Sequence, residues 1–433
     1  TLVINKLKNE TSTNLEFIKI NKDEKLITQI LMVLGIVALV GGYLTDHSDH
    51  HQRWWANLLV NGFFYFSISL AALFFYALQY ITESAWSVVI KRFFEAMLGF
   101  LPYGAAVIVI VLLAGQFHLH HLYHWMDTSL YHEFMTVEGG VTTYFDEQIA
   151  GSVANPNYDY IIAGKGAYFS SWFFWLRTVI YLVTFLLFAK LFRKWSLQED
   201  AEGGTAIHFK VFRRSALFMV FFAYFSSTLS WDWLMSIDPH WFSTLYGWYL
   251  FSGMWVGMII FAHVTILWLK TKGYFEEITE SHMHDLGKWM FAISMLWSYL
   301  FFSQFMLIWY SNIPEEVTYY ASRIFTDYKV PFVTMFLINF VVPFLVLISR
   351  DTKRNPAFLL PVAFLIFIGH FVDVYLLVIP GTMFNHNVFG LFEIGLFLGF
   401  LGLFINRTLS TLSKAPLIAK NHPMLQESKE LHY

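Results

Sequence analysis

Acidic side chains are scarce in the apolar parts of this sequence. The stretch Ser226–Tyr249, SSTLSWDWLMSIDPHWFSTLYGWY, runs from one apolar helix through Asp232, Asp238, Pro239 and His240 into the next. An ionised carboxylate in hydrocarbon is costly, and one that persists there marks a functional site by default. A carboxylate and an imidazole so placed bind the polar headgroup of a ligand or exchange protons with it. The plainer account is that Asp238 caps a turn, Pro239 stops the helix, and Trp231 and Trp233 form an interfacial belt.

Arg177 lies within another apolar run and needs an anionic partner at similar depth. Asp232, on the following helix, is the predicted one, either as a structural pair or as part of a ligand site. His370 and Asp373 are three residues apart and share a helix face. With Glu393 they suit a hydrogen-bonded proton route, for which Glu95 and His263 would supply the entrance; static polar packing is the competing account.

Seven histidines, His47, His50, His51, His118, His120, His121 and His124, cluster in two connecting segments. His120 and His124 have the i, i+4 spacing of two ligands on one helix, but no cysteine or compact carboxylate set completes a metal site. Interface or pH-responsive contacts are the expectation for this group, with His118 facing a ligand pocket. The aromatic stripe from Trp289 to Trp309 reads as lipid-facing or packing surface.

These residues need a membrane-spanning scaffold to hold them. Of 433 residues, 57% are hydrophobic, 20% aromatic and only 14% charged, which excludes an ordinary soluble domain. The net charge of −3 and the lack of a basic stripe exclude a nucleic-acid partner. The absence of cysteine excludes disulfides, thiol catalysis, iron–sulfur clusters held by this chain and haem attached through C-x-x-C-H.

Ten runs are long enough to cross a bilayer: Leu26–Leu44, Asn57–Tyr80, Phe93–Phe117, Tyr168–Phe192, Phe212–Ile237, Leu245–Leu269, Leu286–Tyr310, Val330–Ile348, Phe358–Ile379 and Val388–Ile405. The hydrophilic start carries no cleavable-signal pattern, so the first run is expected to be retained.

With ten spans, 23 of the 28 Lys and Arg fall on one side together with both termini. Arg53, Lys165, Arg323 and Lys329 fall on the other, and Arg177 lies within a span. That asymmetry predicts a multi-pass protein with both termini in the cytoplasm. The segment His118–Ala167 is long and acidic, as expected of a loop that docks a partner. Inverted repeats and broken helices, the marks of many secondary transporters, are not evident.

Two motifs carry a resemblance. SWDWLMSIDPHWFSTLYGWYLFSG at Ser230–Gly253 and HDLGKWMFAISMLWSYLFFSQFMLIWYSNIPEE at His284–Glu316 resemble the NrfD, or polysulfide-reductase-type, membrane subunits of bacterial Alternative Complex III, a quinol:cytochrome c oxidoreductase. The likeness extends over nearly all ten spans. The compact length and short tail look more like the ActF-type paralogue than the ActC-type.

The resemblance implies an all-α polytopic membrane protein of ten transmembrane helices, with two four-helix bundles and two flanking helices. On this chain the parts are a cytoplasmic segment 1–25, a flanking helix and loop 26–56, a first bundle 57–237 with the long loop 118–167, a second bundle 238–379, and a last flanking helix and tail 380–433. It also implies a bacterial inner (cytoplasmic) membrane and a quinol, of menaquinol type, bound near the extracytoplasmic end of the first bundle. The matching positions are His118, Arg177 and Asp232, with Asp238 and His240 nearby. Proton transfer would involve Glu95, His263, His370, Asp373 and Glu393.

Haem and iron–sulfur clusters would belong to partners: a paralogous NrfD-like subunit, an iron–sulfur subunit and haem c subunits, with cytochrome c or a terminal oxidase beyond. An ActF-type chain is less well placed beside the iron–sulfur subunit, so a membrane anchor that does not itself oxidise quinol is the alternative.

Overall fold

The computed structural model describes residues 16–138, 141–384 and 389–432. The first fifteen residues, with Lys6 and Lys8, and Val388, where the tenth span is predicted to begin, lie outside them. The chain is a predominantly helical, multi-pass membrane protein with almost no sheet.

The long helices are α1 (Lys22–Thr45), α2 (Gln52–Ile81), α3 (Lys91–Met97) continued by α4 (Leu101–Gln116), α5 (Ser171–Glu202), α6 (Ala206–Trp233), α7 (Tyr246–Thr271) and α8 (Glu280–Ser311). They are followed by α9 (Pro314–Ile324), α10 (Lys329–Phe336), α11 (Val342–Leu347), α12 (Pro356–Met383) and α13 (Leu391–Leu412).

Among the described residues, nine helical segments are long and apolar enough to cross a membrane. The predicted fifth span, Phe212–Ile237, which α6 covers as far as Trp233, is not one of them. That 28-residue helix has the length, but carries Lys210, Arg213, Arg214 and Asp232.

Helix α2 is the axis of the fold. Its residues 56–77 are all buried, as befits a helix apolar on every side, and it packs on α4, α6, α7, α12 and α13. Helix α7 joins α2 to α8 and α12, and α5 packs on α6.

The first and last helices pack directly on one another. A Cβ on Gly35 would fall 2.4 Å from the Gly399 Cα, so this crossing needs glycine on both sides. The opposite side of α1 exposes Ile27, Val33, Ile36, Val37 and Leu44, a surface suited to lipid.

Three features depart from a plain helical reading. The eighth predicted span is broken between α10 and α11 by a π-helical segment, Leu337–Val341, which carries buried Asn339 and is followed by Pro343. The connector after α8 contains the amphipathic helix α9, with Pro314 in its first turn. The long connector after α4 carries a small antiparallel sheet of order β2-β1-β3, formed by β1 (Phe134–Glu138), β2 (Val141–Phe145) and β3 (Val153–Ala154).

Two ends follow from the contacts. One, here the terminal face, gathers the start of α1, the 270–280 connector and the tail, joined by Lys272–Glu24 and Thr279 Oγ1 to Leu431 O. The other, the distal face, gathers the 118–170 connector, the 234–245 turn and α9.

Candidate functional site

The predicted partner of Arg177 is confirmed in atomic detail. Arg177 donates from Nε to Asp232 Oδ2 and from Nη2 to Oδ1, each at 2.9 Å. Tyr181 donates its hydroxyl to Oδ2 at 2.9 Å. Tyr168 and Phe173 enclose the guanidinium, with ring centroids 3.9 and 4.4 Å away, and Nη1 donates to the Tyr168 carbonyl at 3.0 Å. Asp232 is fully buried and bound through both oxygens, so the pair is closed upon itself. The space for a ligand lies elsewhere.

That space is a cleft of about 480 Å³ on the distal face, lined among others by Asp159, Asp238, Pro239, His240, Trp241 and Tyr319. The Asp-Pro-His sequence shapes it: Pro239 breaks the helical path after Ile237, and Trp241 N–H closes the turn on the Asp238 carbonyl at 3.0 Å. The long connector is pinned over this turn. Asp159 Oδ2 lies 2.5 Å from His240 Nε2, and Lys165 Nζ donates to the Pro239 carbonyl at 2.5 Å.

Asp159 also caps the short helix Tyr160–Gly164 by accepting from the amides of Ile161 and Ile162. Partial burial pushes its carboxyl up, but the His240 imidazole and these amides together hold it below the usual carboxylate range.

One wall of the cleft is a stack of flat groups. The Trp241 and Tyr319 rings lie 3.8 Å apart at 12°, and the Arg323 guanidinium sits 3.4 Å from the Tyr319 centroid. Arg323 donates from Nε to the Leu376 carbonyl at 3.0 Å and from Nη1 to the Tyr319 carbonyl at 2.7 Å; its Nη2 reaches Asp238 Oδ2 at 3.5 Å. Sequence reasoning counted Arg323 only as one of the few basic residues opposite the termini. Its spacing of four from Tyr319, on a segment with Pro at its start, was the signal available.

Tyr319 lines the cleft, and behind it Tyr319 and Arg323 line a smaller cavity, about 10 Å³, whose far side is Asp373. Tyr249 donates to Asp373 Oδ1, and Trp297 Nε1 donates to Oδ2 at 3.0 Å. His370 packs edge-on to Trp297 at 5.3 Å, so the predicted i, i+3 pair does meet at one aromatic side chain. Both His370 nitrogens, and the amide N and O of Asn339 in the π-helical break, are buried without a protein partner. Tyr249 was not singled out from the sequence.

The other predicted residues are placed apart from these. Glu393 forms a two-bond pair with Arg53, 2.8 Å each, and caps α13 by accepting from Gly390 N–H at 2.8 Å. It therefore holds the last helix to α2 and does not join His370 and Asp373. Glu95 is bracketed by Arg92 at 2.8 Å, Arg193 at 2.7 Å and Ser196, a closed network on the terminal side. His263 is buried in α7 with neither nitrogen partnered, and no hydrogen bond links it to Glu95.

His118 is exposed, with φ +56° at the end of α4, and does not join Arg177 and Asp232. The structure thus separates it from the pocket expected of it, because the chain turns away at that left-handed residue. His120 is instead the buried one. It accepts from Leu122 N–H at Nδ1 and donates from Nε2 to the Val111 carbonyl at 2.9 Å. Burial lowers its pKa to about 4, so it is a neutral structural histidine.

No protein-family model matches the chain, and no curated protein is detectably similar to it.

Proposed function

We propose that this chain is an integral membrane subunit of a quinol:cytochrome c oxidoreductase of the Alternative Complex III type. In this reading it has ten spans, with α6 as the fifth, and lies in a bacterial cytoplasmic membrane with both termini inside. The distal face is then extracytoplasmic. Haem and iron–sulfur subunits take the electrons and pass them to cytochrome c or a terminal oxidase, since a chain without cysteine offers neither an iron–sulfur cluster nor a thioether-linked haem.

The observation that carries the reading is the distal cleft. Quinol oxidation needs a flat apolar slot for a ring, and acceptors for two hydroxyl protons that leave as two electrons leave. The Trp241–Tyr319 stack supplies the flat wall, and the Asp159–His240 pair and Asp238 supply acceptors at its edge. This shifts the headgroup site from the closed Arg177–Asp232 pair to the neighbouring turn. The pair then fixes the helix end from which the turn projects.

His240→Gln and Asp159→Asn in the intact complex test the reading. Loss of the proton acceptor lowers the rate of quinol oxidation by about 10²-fold, the usual contribution of one acid–base group. A wild-type rate and KM in both variants would remove the cleft from the reaction and leave a membrane anchor.

A second reading, proton transfer without quinol oxidation by this subunit, is favoured by a separate feature: the buried carboxylate of Asp373, with unpartnered His370 and Asn339 in the same helical group. Intramembrane groups of this kind mark proton relays.

A further inference from the structure

At the terminal face three side chains from separate parts of the chain converge. Glu199 ends α5, His208 opens α6, and His422 lies on the tail. One ligand atom from each lies within 4.8 Å of those of the other two, and all three residues are buried.

None of this belongs to the quinol cleft. We propose that Glu199, His208 and His422 form a binding site for one divalent transition-metal ion of the zinc type, which fastens the C-terminal tail to the α5–α6 connection.

The donor set is the first argument. Two imidazoles and a carboxylate suit zinc, and three protein ligands leave a fourth position for water or another oxygen. Glu83 is a nearby carboxylate, with Oε1 3.7 Å from His208 Nε2.

The second argument is unmet bonding capacity. His208 is 3% exposed, yet neither of its nitrogens has a hydrogen-bond partner, and Glu199 Oε1 is buried without one as well. Buried polar atoms left unpaired are costly, and three of them in one place call for a ligand. A cavity of about 20 Å³, lined by His208, His422, Glu83, Tyr80 and Lys91, adjoins them and has room for one water-sized body.

The surroundings position the donors. Lys91 donates to Glu199 Oε2 at 2.8 Å and to the Tyr80 hydroxyl at 2.7 Å, which leaves Oε1 as the free carboxylate oxygen. Asp200 holds the tail by accepting from Lys420 N–H at 3.0 Å and, through its carbonyl, from the Asn421 side chain at 2.7 Å.

Tetrahedral ligands on bonds of about 2.05 Å stand roughly 3.3 Å apart, so loading draws the three atoms together. Met424 N–H donates to His422 Nδ1 at 3.2 Å, so binding through Nε2 moves the ring proton to Nδ1 and gives up that bond.

The test uses the full chain in detergent, stripped with chelator and then titrated with Zn²⁺ alone. One zinc per chain is expected by elemental analysis, with affinity at least tenfold lower in His208→Gln and in His422→Gln. Zinc should also slow tryptic cleavage at Lys420 and Lys429 in the wild type and not in His422→Gln. No uptake by the wild type, or undiminished uptake by the double variant, overturns the proposal. Should a variant fail to fold, X-ray absorption on the zinc-loaded wild type decides: two imidazole ligands support the site, and a shell without imidazole overturns it.

Discussion

The guanidinium of Arg323 lies 3.4 Å from the ring centroid of Tyr319, and the two together form the partition between the distal cleft and the cavity that reaches Asp373. Arg323 touches the ring, two backbone carbonyls, the Ser322 hydroxyl and Asp238 at once. Replacing it by Met removes a desolvated cation–π contact worth about 2 kcal/mol and leaves the carbonyls without donors. Arg323→Met should lower the unfolding midpoint in detergent, and Arg323→Lys should not restore it, because an ammonium lacks the planar fork.

Breaking the Arg177–Asp232 pair leaves one buried charge unmatched, at a cost of about 3–5 kcal/mol. Arg177→Met and Asp232→Asn should each reduce thermal stability by that order. The exchanged pair, Arg177→Asp with Asp232→Arg, should recover part of the loss. An exchange no better than either single variant would show that the pairing itself is not what holds these helices.

The connector over the cleft should be acid-sensitive. The folded-state pKa of Asp159 is depressed, so its contribution is present above the unfolded value of about 3.9 and is lost as pH falls through the lower folded value. Hydrogen exchange in residues 155–166 should therefore accelerate below about pH 4. Asp159→Asn should remove this acid limb, since no carboxyl remains to titrate.

At the crossing of α1 and α13, a side chain at residue 399 would meet the backbone of Gly35. Gly399→Val should separate the two helices and cost about 1–3 kcal/mol by overpacking, read as a lower unfolding midpoint. Gly41, which has no neighbour in reach of a Cβ, should accept Ala without loss.

Asp373→Asn keeps an oxygen to accept from Trp297 Nε1–H and can donate its amide to the Tyr249 hydroxyl oxygen, but removes the proton-carrying group. If protons pass through this cavity, proton-coupled turnover of the complex should slow markedly while its stability stays near wild type. A wild-type turnover rate would take Asp373 off the route.

The sequence made the Arg177–Asp232 pair legible because each is a lone charge in an apolar run, and such charges must find each other. It made His370 and Asp373 legible through helical spacing alone. The role of Glu393 was not, since its partner Arg53 is 340 residues away and only the packing of α13 on α2 brings them together.

Arg323 was hidden for a similar reason: four segments meet around it, and none announces the meeting. The tail site escaped because His422 follows the last span, where a histidine in a polar stretch looks solvent-exposed. The small sheet had a local signal, the alternation in MTVEGGVTTYF around Gly139 and Gly140, which reads as a hairpin. The fifth span was expected from its length, but Lys210, Arg213, Arg214 and Asp232 towards its two ends lower its hydropathy.

The most direct measurement is photo-crosslinking of an azido-quinone to the purified complex, with the attachment sites mapped by mass spectrometry. The account predicts labelling of residues 238–241 and 318–322, competed away by excess quinol and lost in His240→Gln. Labelling confined to another subunit, or labelling of this chain that leaves those two segments untouched, would contradict it.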